Sequence, residues 1–206
     1  MKQNLVITIG RQFGSGGREI GKILAEMLHF SYYDKELIQE ASKASGLCPE
    51  CFERADEKAP NRFLNALSKG WMSGVSGIPS SGEWSDEMIF KVQSDVIRDI
   101  ALRGSAVIVG RCADYILRDY PQCVSVFIHA STDDCVRRIM ERNPGVSESE
   151  ARELTVKRNK VRAAYYNFYT DKIWGDAASY DLCINSSVIG THAAARLIAQ
   201  YIEQLP

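Results

Sequence analysis

The chain has 206 residues, 45% of them hydrophobic and 25% charged, with a formal net charge of −1. That length suits one domain with its own apolar core, and the balance is that of a globular protein. Near-neutrality lacks the basic excess carried by a nucleic-acid coat or a membrane-surface binder, so anion binding must rest on local clusters.

No apolar run approaches the length of a membrane span, and MKQNLVITIG reads as an opening strand rather than a signal peptide. Cys48, Cys51, Cys112, Cys123, Cys135 and Cys183 are scattered and read as reduced thiols of a cytoplasmic protein. Small-molecule partners are expected, with no nucleic acid and no membrane; the oligomeric state stays open.

In chain order, Leu5 to Ile9 forms a buried strand, and a glycine-rich turn leads into a helix with Ile20, Ile23, Leu24, Met27 and Leu28 at helical spacing. Phe30 to Tyr33 reads as a second strand and Lys35 to Ser45 as a second helix. From Cys48 to Ser85 the periodicity breaks, which marks a functional insertion, with a short helix at Phe63 to Leu67. Ser85 caps a helix that runs to Arg103 and stops at Gly104. Ala106 to Val109 and Val124 to Ile128 are strands. Ser131 caps an arginine-rich helix, and Ser147 with Glu150 has capping-box spacing before another. Leu182 to Ile184 is a fifth strand, and Thr191 to Ile202 a closing helix. Strands separated by helices require a parallel sheet covered on both faces, with ligands at the carboxyl ends of the strands.

The segment ITIGRQFGSGGREIGKILAE joins the first strand to the first helix, with Gly10, Gly14, Gly16 and Gly17 close together. Glycines let backbone N–H groups converge, and the helix N-terminus adds its own donors and dipole. A phosphate cradle over Gly14, Ser15, Gly16, Gly17, Arg18 and Glu19 follows; a tight strand-to-helix turn is the plainer alternative. Against the Walker A pattern, Gly17 stands at the lysine position, and Arg18 and Glu19 where hydroxyl residues are expected. Arg18, at the start of the helix, could reach back and supply the charge; Arg11 is the other candidate.

GRQFGSGGREIGKILAEML, YYDKELI, VIVGRCADYIL, FIHASTDDCVRRIMER and YDLCINSS together resemble the cytidylate-kinase-like family of nucleoside monophosphate kinases. The resemblance runs along nearly the whole chain and is weakest over 48–85. It implies a P-loop α/β three-layer sandwich with a five-stranded parallel sheet, an acceptor-side insertion and a mobile lid, placed here at 48–85 and 137–169. It implies ATP with Mg2+ as donor and CMP or dCMP as acceptor. The chain departs from the family pattern at Gly17, at Cys112 in Gly110-Arg111-Cys112, and in the lid run Arg158-Asn159-Lys160-Val161-Arg162, which lacks carboxylates.

Asp34 follows the second strand, where the resemblance places the acceptor; it could equally cap the next helix. Arg111 follows the third strand and suits an acceptor phosphate; a surface arginine beside Asp114 is the alternative. Arg138, Arg142, Arg158 and Arg162 are the lid cations expected to neutralise developing charge, within a cluster that also holds Arg137, Arg152, Lys157 and Lys160. For any single one of these, a solvated helix face is the simpler reading. Tyr165, Tyr166, Phe168 and Tyr169 read as packing more than as a base-stacking platform. Cys48 and Cys51 have C-x-x-C spacing without a second pair; chance loop cysteines are the plainer reading, with a zinc or redox site as the alternative, and no metal site is assigned. The sequence thus predicts phosphoryl transfer from ATP to a small acceptor, a pyrimidine nucleoside monophosphate. Two alternatives stand beside it: a nucleotide-binding sensor without turnover, and a kinase of a non-nucleotide small molecule.

Overall fold

A computed structural model describes residues 4–34, 40 and 86–205. Apart from Glu40, which is helical, the expected Lys35 to Ser45 helix lies outside the described residues. So do Ser85, the 48–85 insertion and the Cys48/Cys51 pair.

Five parallel strands form one sheet in the order β2-β3-β1-β4-β5. They are β1 (Val6–Arg11), β2 (Ser31–Tyr33), β3 (Ala106–Val109), β4 (Cys123–His129) and β5 (Leu182–Asn185). β1 is central, with Val6 to Ile9 in register with Ala106 to Val109 on one side and Cys123 to Val126 on the other. A parallel strand buried on both faces needs apolar residues at nearly every position, and Val6, Ile7 and Ile9 are fully buried.

The helices are α1 (Gly17–Leu28), α2 (Asp86–Arg103), a single turn α3 (Ala113–Ile116), α4 (Thr132–Arg142), α5 (Glu148–Tyr169) and α6 (Ser186–Glu203). Alternate side chains of β1 serve opposite layers. Ile7 and Ile9 pack with Ile20 and Leu24 of α1 and Ile198 of α6. Val6 packs with Ile97 and Ile100 of α2 and with Ala113 and Ile116. This is the expected three-layer α/β sandwich.

The helix starts follow local chemistry. Ser131 Oγ accepts the Asp134 N–H, and Ser147 and Glu150 form the full capping box. α6 is broken at Gly190, whose φ of 74° and ψ of 173° are not helical. The expected start at Thr191 therefore holds for its long part; a separate turn, 186–189, precedes it. α3 is too short to leave a periodic signal in sequence.

Candidate active site

The first loop has the geometry of an anion cradle. Gly14 and Gly16 take left-handed φ values of 81° and 82°. An added Cβ at Gly14 would come within 2.7 Å of the Cys135 carbonyl oxygen, and one at Gly16 within 2.9 Å of Thr191 Cγ2. The N–H groups of Gly17, Arg18 and Glu19 open α1, where no acceptor exists within the helix, and the N-cap residue, Gly16, makes no side-chain capping bond. Uncapped donors at the positive end of a helix suit phosphate. The Glu19 carboxylate is turned away to protein partners: it accepts from Thr191 Oγ1 at 2.9 Å and from Arg142 Nη2 at 3.0 Å.

Neighbouring elements hold this loop. Ser186 Oγ donates to the Ser15 carbonyl at 2.6 Å. Gln12 Oε1 accepts the Ala130 N–H at 3.1 Å. From α4, the Arg138 guanidinium lies 3.5 Å from the Gly14 carbonyl and 3.4 Å from Ser186 Oγ. From α5, Asn159 Oδ1 accepts the Phe13 N–H at 2.7 Å, and Arg162 donates to the Arg11 carbonyl at 3.1 Å while covering the Phe13 ring.

Two cavities, each of about 250 Å³, meet over the carboxyl ends of the strands. One is the mouth of the loop, bounded by Gly14, Gly16, Gly17 and, from α4, Arg142. The other is a cleft under α5. Arg11, Phe13, Arg18 and Arg162 line both. The cleft wall combines the guanidinium groups of Arg11, Arg18, Arg111, Arg158 and Arg162 and the Asp34 carboxylate with Asp114, Tyr166, Trp174 and Tyr180.

The surroundings of Asp114 are tightly packed. Tyr166 donates to Asp114 Oδ2 at 2.6 Å. Burial raises the Asp114 pKa above the usual carboxylate range, against the lowering effect of the Tyr166 bond and the Lys172 charge. Burial, then the Asp114 charge, pushes the Tyr166 and Tyr180 hydroxyls and the Cys112 thiol upward as well. Tyr180 Oη is buried and makes no hydrogen bond of sound geometry among the described residues; Tyr166 and Gly175 are its neighbours. Cys112, Asp114 and Tyr180 lie in the quoted segments VIVGRCADYIL and YDLCINSS, but no local pattern marked their mutual contact.

The expected site residues come together with differences of detail. Asp34 is buried and forms ion pairs with both Arg11, at 3.7 Å, and Arg18 Nε. Arg18 borders the loop mouth while its Nε pairs with Asp34 at the cleft. Gly110, Arg111 and Cys112 are three successive left-handed residues, with φ of 84°, 60° and 53°. Such conformations cost a non-glycine residue energy and concentrate at functional sites. They bring Arg111 into the cleft wall. Arg158 and Arg162 line the cleft, while Arg138 and Arg142 face the loop. Arg137 and Arg152 instead make surface ion pairs, with Asp134 and Glu141 and with Asp133 and Glu148. The tyrosine run is chiefly packing: Tyr169 stacks on Phe90 of α2 at 4.1 Å, although Tyr165 and Tyr166 also border the cleft. Among the described residues no helix is long and apolar enough to cross a membrane, and no three His, Cys, Asp or Glu side chains gather to hold a metal.

Comparison with known proteins adds sequence relationships to this geometry. A cytidylate kinase of Methanosarcina barkeri is 32% identical over 181 residues, covering 87% of this chain and 86% of that one. A solved structure of an uncharacterized protein from Eubacterium ventriosum is 33% identical and superposes with a TM-score of 0.73, over 98% of this chain and 99% of that one. Shikimate kinase from Bacteroides thetaiotaomicron, 12% identical with a TM-score of 0.53 over 97% of this chain and 98% of that one, shares the fold. A sequence model of the cytidylate kinase-like family matches residues 6–188, a span that contains the glycine loop, the Gly110–Cys112 turn and α5. The chain belongs to the cytidylate kinase-like family.

Proposed function

We propose that this protein transfers the γ-phosphoryl group of ATP to a pyrimidine nucleoside monophosphate, CMP or dCMP. The observation that carries the reading is a cleft that shares Arg11, Arg18 and Arg162 with the loop mouth and is also lined by Arg111, Asp114 and the aromatic side chains of Tyr166, Trp174 and Tyr180. Such a cavity suits a molecule with a phosphate at one end and a hydrogen-bonding ring at the other.

In this reading the N–H groups of residues 14–19 bind the donor phosphates. Arg111, in its strained turn, holds the acceptor phosphate by paired N–H donors. Asp34 orients the arginines between the two sites. Arg158 and Arg162 of α5 approach the transferred group, while Arg138 and Arg142 brace the loop from α4. Phosphoryl transfer spreads charge over equatorial oxygens, so positioned cations and exclusion of water do most of the work. Mg2+, bound mainly by the nucleotide phosphates, would supply further charge neutralisation.

A second reading, a nucleotide sensor without turnover, has its own support. Gly17 replaces the usual lysine, and Arg142 is already paired with Glu19. The test is ADP formation with ATP–Mg2+ and a panel of CMP, dCMP, UMP and AMP. Acceptor-dependent ADP with CMP or dCMP supports the kinase. Nucleotide binding without turnover on that panel, and on non-nucleotide alcohols, supports the sensor.

A further inference from the structure

The glycine at position 17 is explained by a residue six positions before it. A Cβ built on Gly17 would lie 2.6 Å from Arg11 Cβ and 3.1 Å from Arg11 Cγ. Side-chain carbons do not approach so closely, so no residue with a side chain, lysine included, fits at 17 while Arg11 keeps its place. The space from which a lysine would leave α1 is filled by the stem of an arginine entering from the end of β1.

The other end of Arg11 is accommodated in the same way. A Cβ on Gly110 would meet Arg11 Nη1 at 1.8 Å and Cζ at 2.9 Å, and Gly110 also has a φ of +84°. Two glycines on separate loops thus make room for one side chain, Gly17 for its stem and Gly110 for its head. The Arg11 side chain is 17% exposed, against 49% for Arg18, although both meet Asp34. Arg11 lines both the loop mouth and the cleft.

We propose that Arg11, rather than Arg18, is the phosphate-binding cation of this site, in place of the lysine absent from position 17, with Gly17 and Gly110 as its receptacle. This rests on the phosphotransferase reading above. In the step served, an acceptor phosphate oxygen forms a bond to the γ-phosphorus. The bond from that phosphorus to the β–γ bridging oxygen breaks, and ADP departs with the electron pair. Arg11 donates N–H bonds to phosphate oxygens throughout and transfers no proton. Because it borders both cavities, it stays in reach of the group on either side of transfer. A planar, two-pronged guanidinium can hold two oxygens at once, which a lysine ammonium does as a point charge only.

The test compares Arg11→Met, Gly17→Lys and a double variant, Arg11→Gly with Gly17→Lys, with the parent. ATP affinity is read by calorimetry, turnover by ADP formation, and folding by thermal melting. Arg11→Met keeps an apolar stem over Gly17 and removes only the charge. It should melt near the parent, weaken ATP at least about tenfold, and lower turnover by a factor on the order of 10³, as for other cations on transferring phosphate. Gly17→Lys alone should lose stability or turnover, because its side chain meets the Arg11 stem. Arg11→Gly with Gly17→Lys removes the whole stem, Cβ included, and should recover at least about tenfold over Arg11→Met in turnover or ATP affinity. Parent-like ATP affinity and turnover in Arg11→Met, or a fully active and stable Gly17→Lys, would overturn the assignment. If the parent turns over no acceptor, the kinase reading falls, and the ATP affinity of Arg11→Met still decides the role of Arg11.

Discussion

Asn159, in the middle of α5, accepts the backbone N–H of Phe13 at 2.7 Å and so ties α5 to the glycine-rich loop. Its amide is neutral at the point where the family pattern has a carboxylate. Asn159→Ala removes one hydrogen bond, worth about 0.5–1.5 kcal/mol, and should weaken ATP binding a few-fold. Asn159→Asp keeps an acceptor and adds a negative charge beside the anion cradle. It should weaken ATP more than the alanine variant does, with the gap shrinking as salt is raised. Calorimetric titration with ATP at two ionic strengths reads both effects, and an aspartate variant that binds better than the alanine one would contradict the electrostatic account.

Arg111 is held in the cleft wall by a left-handed turn. If it binds the acceptor phosphate, Arg111→Ala loses charge-assisted bonds of about 1.5–3 kcal/mol each. The acceptor KM should rise roughly ten- to a hundredfold while the ATP KM changes little. Steady-state kinetics with each substrate varied makes the comparison; an equal rise for both would place Arg111 outside the acceptor site.

Gly14 combines a φ of +81° with a Cβ position 2.7 Å from the Cys135 carbonyl oxygen. Gly14→Ala should destabilise the fold by at least about 2 kcal/mol, seen as a melting point lower by roughly 5–10 °C. Gly104→Ala serves as the control, since nothing lies within 4 Å of a Cβ added there. Similar melting of the two variants would contradict the packing described at the loop.

Asp114 supplies a pH dependence. Burial raises its pKa in the folded protein, so the folded state binds this proton more tightly than the unfolded chain does. The group therefore favours folding in acid. It costs stability as pH climbs from the ordinary carboxylate value, about 4, through the raised one, and that cost is constant above it. Asp114→Asn stays neutral and can still accept from Tyr166. It should melt above the parent at about pH 8, with the advantage closing as pH falls toward about 4. Melting curves across that range decide the matter, and a parent more stable than the variant at the alkaline end would show that Tyr166 and Lys172 outweigh burial.

What could be read from sequence was whatever depends on neighbours along the chain. The β1–loop–α1 unit announces itself through clustered glycines between an apolar run and helical spacing. Ser131 and the Ser147–Glu150 pair mark their helices because capping is a three-residue interaction. What escaped depends on contacts across the fold. Arg11 and Arg18 flank the same loop, and spacing favoured Arg18. Only the approach of Asp34 and Gly110 to that loop separates them. Arg137 and Arg138 are adjacent in sequence, yet one pairs with its own helix and the other reaches the loop. Tyr180 joins the cleft because β5 lies beside β4, an adjacency no local pattern encodes.

The glycine-rich loop before α1 is fastened by residues of α6. Ser186 Oγ bonds the Ser15 carbonyl across 171 positions of sequence, and Thr191 reaches Glu19 across 172. At ribosomal speeds of about 5–20 residues per second, roughly 10–30 s separate the synthesis of Ser15 from that of Ser186. For that interval the nascent chain displays a glycine-rich loop and its apolar strand without the helix that closes over them. On the proposed function, nucleotide meets a finished cradle only after that helix docks, and capture of ATP would report completed folding rather than guide it.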